Sequence, residues 1–325
     1  MNGPAANDSA ANDSAAGRSP LLAVAICTYK RDEPLARTLD SLAIAHREAL
    51  AAGVAIDLSV TVMDDDGSGG TRQFLKGLSH PFPVHYEVSA SGNISRARNS
   101  AIAAALPGSD WLGMLDDDVV VPPNWLTLAA GWLTRPEVDA VTGACLVVFP
   151  DGPKWLREEP FQQDGAMEGE DGRPTGTCAS GNCIMRSAWL REHPQIRFAD
   201  DLGTLGGEDM VFFRTATSHG LRAVFLNDLA VSAVEPAERA TFGYQMRRGL
   251  WIGNSEAVTN LRLGHAGRAR LAARGAKRMV RALGLEKVRV QRRPPYLTVR
   301  RYPLYVALRG LGMIAGAMGV ELAHR

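Results

Sequence analysis

Two short apolar runs in this chain end abruptly in three consecutive aspartates. Residues 60–63 lead into Asp64, Asp65 and Asp66, and residues 111–115 into Asp116, Asp117 and Asp118. Runs this short and this apolar read as buried strands. Three adjacent carboxylates repel one another and lose hydration when crowded, unless a cation gathers them. Each strand must therefore stop with its carboxyl end at a surface. Helical spacing precedes the first of these runs, at Leu35, Leu39 and Leu42, and an Ala-rich helical stretch at 95–106 precedes the second. Strands alternating with helices over short turns predict an α/β sheet with parallel pairs. Ligands in such sheets bind beyond the carboxyl ends of the strands, where both triplets fall.

The pattern predicts strands at 21–28, 56–63, 84–88 and 111–115, and helices from Leu35, around 73–78 and at 95–106. Beyond these it predicts a strand over 140–149, a polar loop over 150–177 and an extended segment at 179–186. A helix from Ser187, a turn at 206–209, a helix through His219 and a strand at 223–226 follow. A loop of that length in a compact domain is usually functional. Residues 1–20 repeat AANDS twice and hold almost no large apolar side chains, which predicts a disordered tail. The expected organisation is that tail, an α/β body over 21–260 with halves at 21–118 and 119–260, and a basic helical segment over 261–325.

With 325 residues, 46% of them hydrophobic, the chain can bury a large core. Four cysteines without a CxxC make no disulfide framework, and no segment reads as a membrane span or a secretory signal. Both point to the cytoplasm. The net charge of +1 conceals an asymmetry: residues 262–301 hold 13 of the 36 Lys and Arg and one of the 35 acids. That segment carries +12 and the remainder −11.

Asp116 and Asp118 point the same way in extended chain, so the triplet reads either as ligands that reach one Mg²⁺ or Mn²⁺ or as a solvated acidic turn. The first triplet matches half of a calcium loop, but the twelfth position is Leu75, which excludes an EF-hand. A carboxylate there suits a nucleobase N–H instead. Ser95 reads as the N-cap of a helix whose amides, with Arg96 or Arg98, form an anion site. Glu208 and Asp209 follow Gly206 and Gly207 at a helix start, where they serve either as favourable charges on the helix dipole or as a general base. Ser180, Gly181 and Asn182 read as a tight turn facing a substrate or as a plain turn. The histidines fall at unrelated spacings. No GxSxG, P-loop, HExxH or GxGxxG occurs, which removes the commonest hydrolase, ATPase, zinc-protease and dinucleotide readings.

Taken in order, VAICTYKR (24–31), MDDDGSGG (63–70), SRARN (95–99), LDDD (115–118) and GGED (206–209) resemble the family 2 glycosyltransferases of the GT-A fold. The stretch 234–249 is most similar to bacterial members that build exopolysaccharide, including succinoglycan-type glucosyltransferases. The resemblance implies an inverting, metal-dependent enzyme that moves one sugar from a UDP-sugar to a glycan or polyprenyl-linked acceptor. It implies nucleotide-sugar contacts at Thr28, Tyr29, Arg31, Asp64, Asp65, Arg96, Arg98, Asn99 and Asp117. Asp116 and Asp118 would hold Mn²⁺ or Mg²⁺, with Glu235 the candidate third ligand where the family often has a His. Asp209 would be the base beside Glu208. Ser180, Gly181, Asn182, Gly207 and Arg248 would line the sugars. Gln245 to Gly249 is similar to the QxxRW signature of processive synthases, but Gly249 replaces the Trp, which implies single transfer.

Two other readings start from the same residues. A sugar-nucleotide pyrophosphorylase would need a Gly-rich, Lys-containing loop after the first strand, and TYKRDEP has no glycine. A non-catalytic binding or assembly subunit would not need every one of the carboxylates. For the C-terminal segment, residues 303–322 are apolar but interrupted by Arg309 and Glu321. They predict a helix lying at an anionic membrane face, or else basic helices packed on the acidic body. Nucleic acid is disfavoured because no aromatics interleave the basic residues.

Overall fold

The computed structural model describes residues 18–158, 170–291 and 301–323. Most of the expected tail (1–17), part of the polar loop (159–169) and residues 292–300 lie outside them. The first half alternates as expected: β1 (Leu21–Thr28), α1 (Asp32–Ala51), β2 (Asp57–Asp64), α2 (Gly70–Leu75), β3 (Val84–Val88), α3 (Ile94–Ala105) and β4 (Trp111–Asp116). Next come β5 (Val119–Val120), α4 (Trp125–Leu133), β6 (Ala140–Thr142), β7 (Cys145–Val148), α5 (Lys154–Glu158) and β8 (Arg173–Pro174). Then follow β9 (Asn182–Arg186), α6 (Ser187–Glu192), α7 (Glu208–Ser218), β10 (Ala223–Phe225) and β11 (Val231–Val234). Three long helices close the chain: α8 (Phe242–Arg262), α9 (Arg268–Gln291) and α10 (Arg301–Ala317).

The large sheet has the order β3-β2-β1-β4-β9-β6-β10-β8. Its first four strands are parallel, and β9 runs antiparallel between β4 and β6. A small sheet, β5-β11-β7, stands beside it. Side chains of β1 alternate between two cores. Leu22, Val24 and Ile26 pack with Leu35, Leu39 and Leu42 of α1, whereas Ala23 and Ala25 meet Ala97, Ala101 and Ala105 of α3. Alanine facing alanine lets α3 sit close to the sheet, which matters because α3 carries Arg98.

Four expectations are corrected here. The strand over 140–149 is two strands in different sheets, because the chain breaks at Gly143, where a Cβ would collide with the Leu229 carbonyl. The helix expected at 73–78 is Gly70–Leu75. Asn93 rather than Ser95 caps α3, its Oδ1 accepting from the Arg96 amide at 3.2 Å, while Ser95 is buried within the helix. Arg18, expected within the tail, is tied down, donating to both oxygens of Asp110 at 2.7 and 2.8 Å.

The apolar C-terminal segment is α10, packed between α8 and α9. Tyr305 and Met313 are buried in these interfaces. Glycines set the approach: a Cβ at Gly312 would strike the Leu250 carbonyl of α8, and one at Gly275 of α9 would lie 2.5 Å from the Gly310 oxygen. Glu256 of α8 ties all three helices, with Arg278 Nη1 at 2.9 Å and Arg309 Nε at 3.4 Å from its Oε2. Among the described residues no helix is long and apolar enough to cross a membrane.

Candidate active site

Parallel register brings the carboxyl ends of β1, β2 and β4 level: Thr28 pairs with Asp64, and Cys27 with Asp116. The two acidic triplets therefore share one edge but differ in state. Asp64 is fully buried and accepts from the Tyr86 hydroxyl at 2.7 Å and the Asp66 amide at 2.8 Å. Asp65 organises the next turn, accepting from the amides of Ser91 at 2.6 Å and Asn93 at 3.1 Å. The carboxylates of both are thus occupied by the fold. Exposed Tyr29 stands nearby at the end of β1 with Lys30 over its ring.

In the second triplet the three side chains diverge. Asp117 turns inward and accepts from Thr28 Oγ1 at 2.7 Å and Arg31 Nη1 at 2.9 Å. The same Arg31 nitrogen reaches Asp118 Oδ2 at 2.8 Å. The side chain of Asp116 is 45% exposed, against 5% for Asp117. Burial and the neighbouring Asp116 and Asp117 charges push the Asp118 carboxyl up to about 6, although Arg31 opposes the shift. Burial raises Asp117 as well. Gly181 sits over Asp116, where a Cβ would come within 2.5 Å of Oδ2.

Arg98 joins this cluster to the other acidic motif. Its Nη1 contacts Glu208 Oε1, its Nη2 lies 3.2 Å from Asp116 Oδ1, and its guanidinium covers the Phe198 ring. Burial opposes its charge, but Asp116 and Glu208 more than compensate and raise its pKa. Glu208 and Asp209 open α7 after Gly206 and Gly207, both with positive φ. A Cβ at Gly207 would meet the Thr259 hydroxyl of α8, so this turn has to be glycine. Burial, then the Glu208 charge, pushes Asp209 up to about 6. Burial also raises Cys27 to about 12 and Cys145 higher still, so neither thiol beside the site is a nucleophile at neutral pH.

Several expected site residues have their polar groups engaged within the fold. Arg96 is exposed and pairs with Asp200 at 2.9 Å, and Asn99 exchanges two hydrogen bonds with the Phe198 backbone. Asn182 has no exposed surface, accepting from Trp125 Nε1 at 3.0 Å and donating to the Leu229 carbonyl at 2.7 Å. Ser180 is buried beside it. Arg248 lies on α8 with Nη1 buried and without a hydrogen-bond partner among the described residues. Sequence reasoning missed Thr38, whose hydroxyl donates toward the carbonyls of Asp117 and Val119 at 3.0 and 2.8 Å and so fixes the acidic turn. A hydroxyl in the apolar face of α1 was the available signal.

Glu235 is placed beside Asp118 by β11, and the Val234 amide donates to the Asp118 carbonyl at 3.0 Å. A cleft of about 400 Å³ opens there, walled by Arg31, Arg37, Asp118 and Glu235. Glu235 is itself paired with Arg239 at 2.8 Å. Among the described residues no three His, Cys, Asp or Glu side chains converge as a metal shell, so the expected trio of Asp116, Asp118 and Glu235 is not assembled. Asp116 and Asp118 nevertheless fit a hard divalent ion. Their donors are oxygens, the neighbouring Asp116 charge adds to burial in raising Asp118, and Arg31 and Arg98 pair with them directly.

This edge of a mixed sheet, with carboxylates from two halves of the chain facing one another across an arginine, can polarise an anionic ligand and accept a proton. The sequence profile described as glycosyl transferase family 2 matches residues 23–193. The chain belongs to that family, and the enzyme is a glycosyltransferase. The succinoglycan biosynthesis protein ExoM of Rhizobium meliloti is 31% identical over 232 residues, covering 69% of this chain and 70% of that protein. Validoxylamine A glucosyltransferase of Streptomyces hygroscopicus subsp. limoneus is 30% identical over 137 residues, 41% of this chain and 28% of its own length. Among solved structures, the mannosyltransferase PcManGT from Pyrobaculum calidifontis, in complex with GDP-Man and Mn²⁺, superposes with a TM-score of 0.55. It is 17% identical, over 94% of this chain and 89% of that one. S. aureus TarS 1–349 in complex with UDP-GlcNAc gives a TM-score of 0.50 at 18% identity, over 72% of this chain and 66% of that one. These likenesses establish the GT-A-like fold.

Proposed function

We propose that the enzyme moves one sugar from a nucleoside-diphosphate sugar, a UDP-sugar in the first instance, to a hydroxyl of a glycan or lipid-linked acceptor. Exopolysaccharide or another surface glycan is the product class, a reading supported by the similarity to ExoM. The carrying observation is that Arg98 holds Asp116 and Glu208 together and so sets Asp209 opposite the acidic end of β4.

Asp116 and Asp118 would hold Mn²⁺ or Mg²⁺. When bound, the ion stabilises the negative charge of the departing diphosphate. Arg31 and Arg98 lie where they can share that charge. Asp209, raised but still largely ionised at neutral pH, takes the proton of the acceptor hydroxyl. The acceptor oxygen bonds to the anomeric carbon as that carbon's bond to the diphosphate oxygen breaks on the opposite side, which inverts its configuration. Proton removal of this kind contributes on the order of 10²–10⁴-fold. A lipid-linked acceptor would bring the enzyme to the cytoplasmic face of a membrane.

Thermal stability with UDP, GDP, dTDP and CDP, each with and without Mn²⁺, tests the donor reading. A Mn²⁺-dependent rise with UDP, absent from Asp116→Ala/Asp118→Ala, is expected. The same rise with GDP alone would replace the uridine reading, and no rise with any nucleotide would overturn the proposal.

A further inference from the structure

Among the described residues, the three C-terminal helices leave one flank uncovered. On α9, Arg270, Arg274, Lys277 and Arg281 recur at spacings of four, three and four, which places them on one face of the helix. All four are exposed, and none pairs with an acid among the described residues. Arg278, one position off that face, turns inward to Glu256. On α10, Leu304 and Leu311 are 42% and 43% exposed, and Met318, just past its end, is 69% exposed. Their spacing of seven makes a single stripe along two turns per step.

Helix geometry fixes how these rows relate. Gly275 faces Gly310 and Ile314, while Arg268 Nη1 donates to the Ala317 carbonyl, so α9 and α10 run antiparallel. On α10 the stripe lies about 100° from the side that meets α9 and farther still from the side that meets α8. On α9 the corresponding side carries Ala269, Ala273, Ala276 and Val280, all exposed, and Val280 is 71% exposed. The pair therefore presents a continuous apolar flank, and the basic row runs along its α9 edge. Apolar area bordered by unpaired cations fits an interfacial surface.

We propose that this flank docks on the headgroup layer of an anionic lipid bilayer. Charge complementarity selects that occupant. The segment 262–301 carries +12 while the rest of the chain carries −11, so an anionic surface attracts this end and repels the body, which orients the molecule. The orientation also serves the site. Leu205, just before the GGED turn, accepts from Trp251 Nε1 and Ser255 Oγ of α8 at 3.0 and 2.6 Å, and α8 packs directly on α10. The turn bearing Asp209 thus stands two helix layers from the bilayer. The proposal deepens the lipid-linked acceptor reading above, but the binding it describes needs neither donor nor acceptor.

Full-length protein is floated with vesicles of phosphatidylglycerol and phosphatidylethanolamine, or of phosphatidylcholine alone, at low and high salt. Binding to the anionic vesicles only, weakened by salt, is expected. Arg274→Glu/Lys277→Glu should lower partitioning by at least twenty-fold, since each cation near the surface contributes roughly fivefold. Leu304→Ser/Leu311→Ser/Met318→Ser should abolish the binding that survives high salt. All five positions are exposed, and an unchanged midpoint of urea denaturation serves as the control for folding. Equal binding to both vesicle types, or none at low salt, overturns the proposal. So does a concentration-dependent dimer that the triple variant dissolves, because that outcome assigns the flank to a second copy. Vesicle binding by a protein that shows no nucleotide response would sustain this proposal while defeating the donor reading of the site.

Discussion

Arg98 of α3 pairs with Glu208, the first residue of α7, across 110 positions of sequence. Its second nitrogen reaches Asp116 at the end of β4. One guanidinium thus ties the carboxylate at the end of β4 to the turn that carries Asp209. Neither acid is then left to repel the other across the cleft.

Removing this cation should cost stability as well as activity. Arg98→Ala leaves Glu208 buried and uncompensated, a change worth about 3 kcal/mol. Most of that loss belongs to Glu208, because Asp116 is half open to water. Arg98→Leu/Glu208→Leu should recover most of the stability in urea denaturation yet leave transfer impaired. If Arg98→Ala unfolds at the wild-type urea concentration, the bridge contributes nothing to the fold.

As the proposed base, Asp209 should make activity and stability respond to pH in opposite senses. A base has to be ionised, so transfer should rise with pH through about 6 and level off above it. Its folded value lies above the ordinary 3.8, so its contribution to stability is complete below pH 3.8 and is lost as pH rises through about 6. At pH 8 Asp209→Asn should therefore abolish turnover and raise the unfolding free energy by about 2 to 3 kcal/mol. A rate profile flat from pH 5 to 8 in the wild type would remove Asp209 from the base role.

The acidic edge was legible because an apolar run that stops at a carboxylate marks both a strand and its exposed end. Thr28, Asp64 and Asp116 accordingly lie level. The helices α1 and α3 were legible from leucine and alanine spacing. What stayed hidden depends on long-range pairing. Nothing local reveals that β9 inserts antiparallel between β4 and β6, or that residues 140–149 change sheets at Gly143. Ser180, Gly181 and Asn182 have the composition of a surface turn, yet Asn182 is enclosed because Trp125 and Leu229 arrive from distant segments. Nothing local in residues 303–322 reveals that the glycines of α10 are contact points for two neighbouring helices.

Asn182 offers a direct check on that reassignment. Asn182→Ala strands the Trp125 indole N–H and the Leu229 carbonyl in the interior, at about 1–3 kcal/mol for each group left unpaired. The expected result is a protein destabilised by roughly 3 kcal/mol in urea denaturation. Its preference among donor sugars should be unchanged. A variant of normal stability with altered donor preference would return Asn182 to the substrate.

Gly181 should behave in the opposite way. An added Cβ would meet Asp116 Oδ2 at 2.5 Å and Cys145 Sγ at 3.3 Å, whereas the same change at Gly143 would strike the Leu229 backbone. The buried Leu229 backbone, whose carbonyl accepts from Asn182, cannot retreat, but a half-exposed carboxylate on two rotatable bonds can. Gly181→Ala should therefore fold with a stability within about 1 kcal/mol of wild type, the overpacking being relieved by rotation of Asp116. That rotation moves one of the two carboxylates best placed for a divalent ion. Mn²⁺-dependent nucleotide binding by calorimetry should weaken at least tenfold, and metal-independent binding should hold. Gly143→Ala, by contrast, should fail to accumulate as folded protein. Undiminished Mn²⁺-dependent binding in Gly181→Ala would mean that the position of Asp116 is not what sets the affinity.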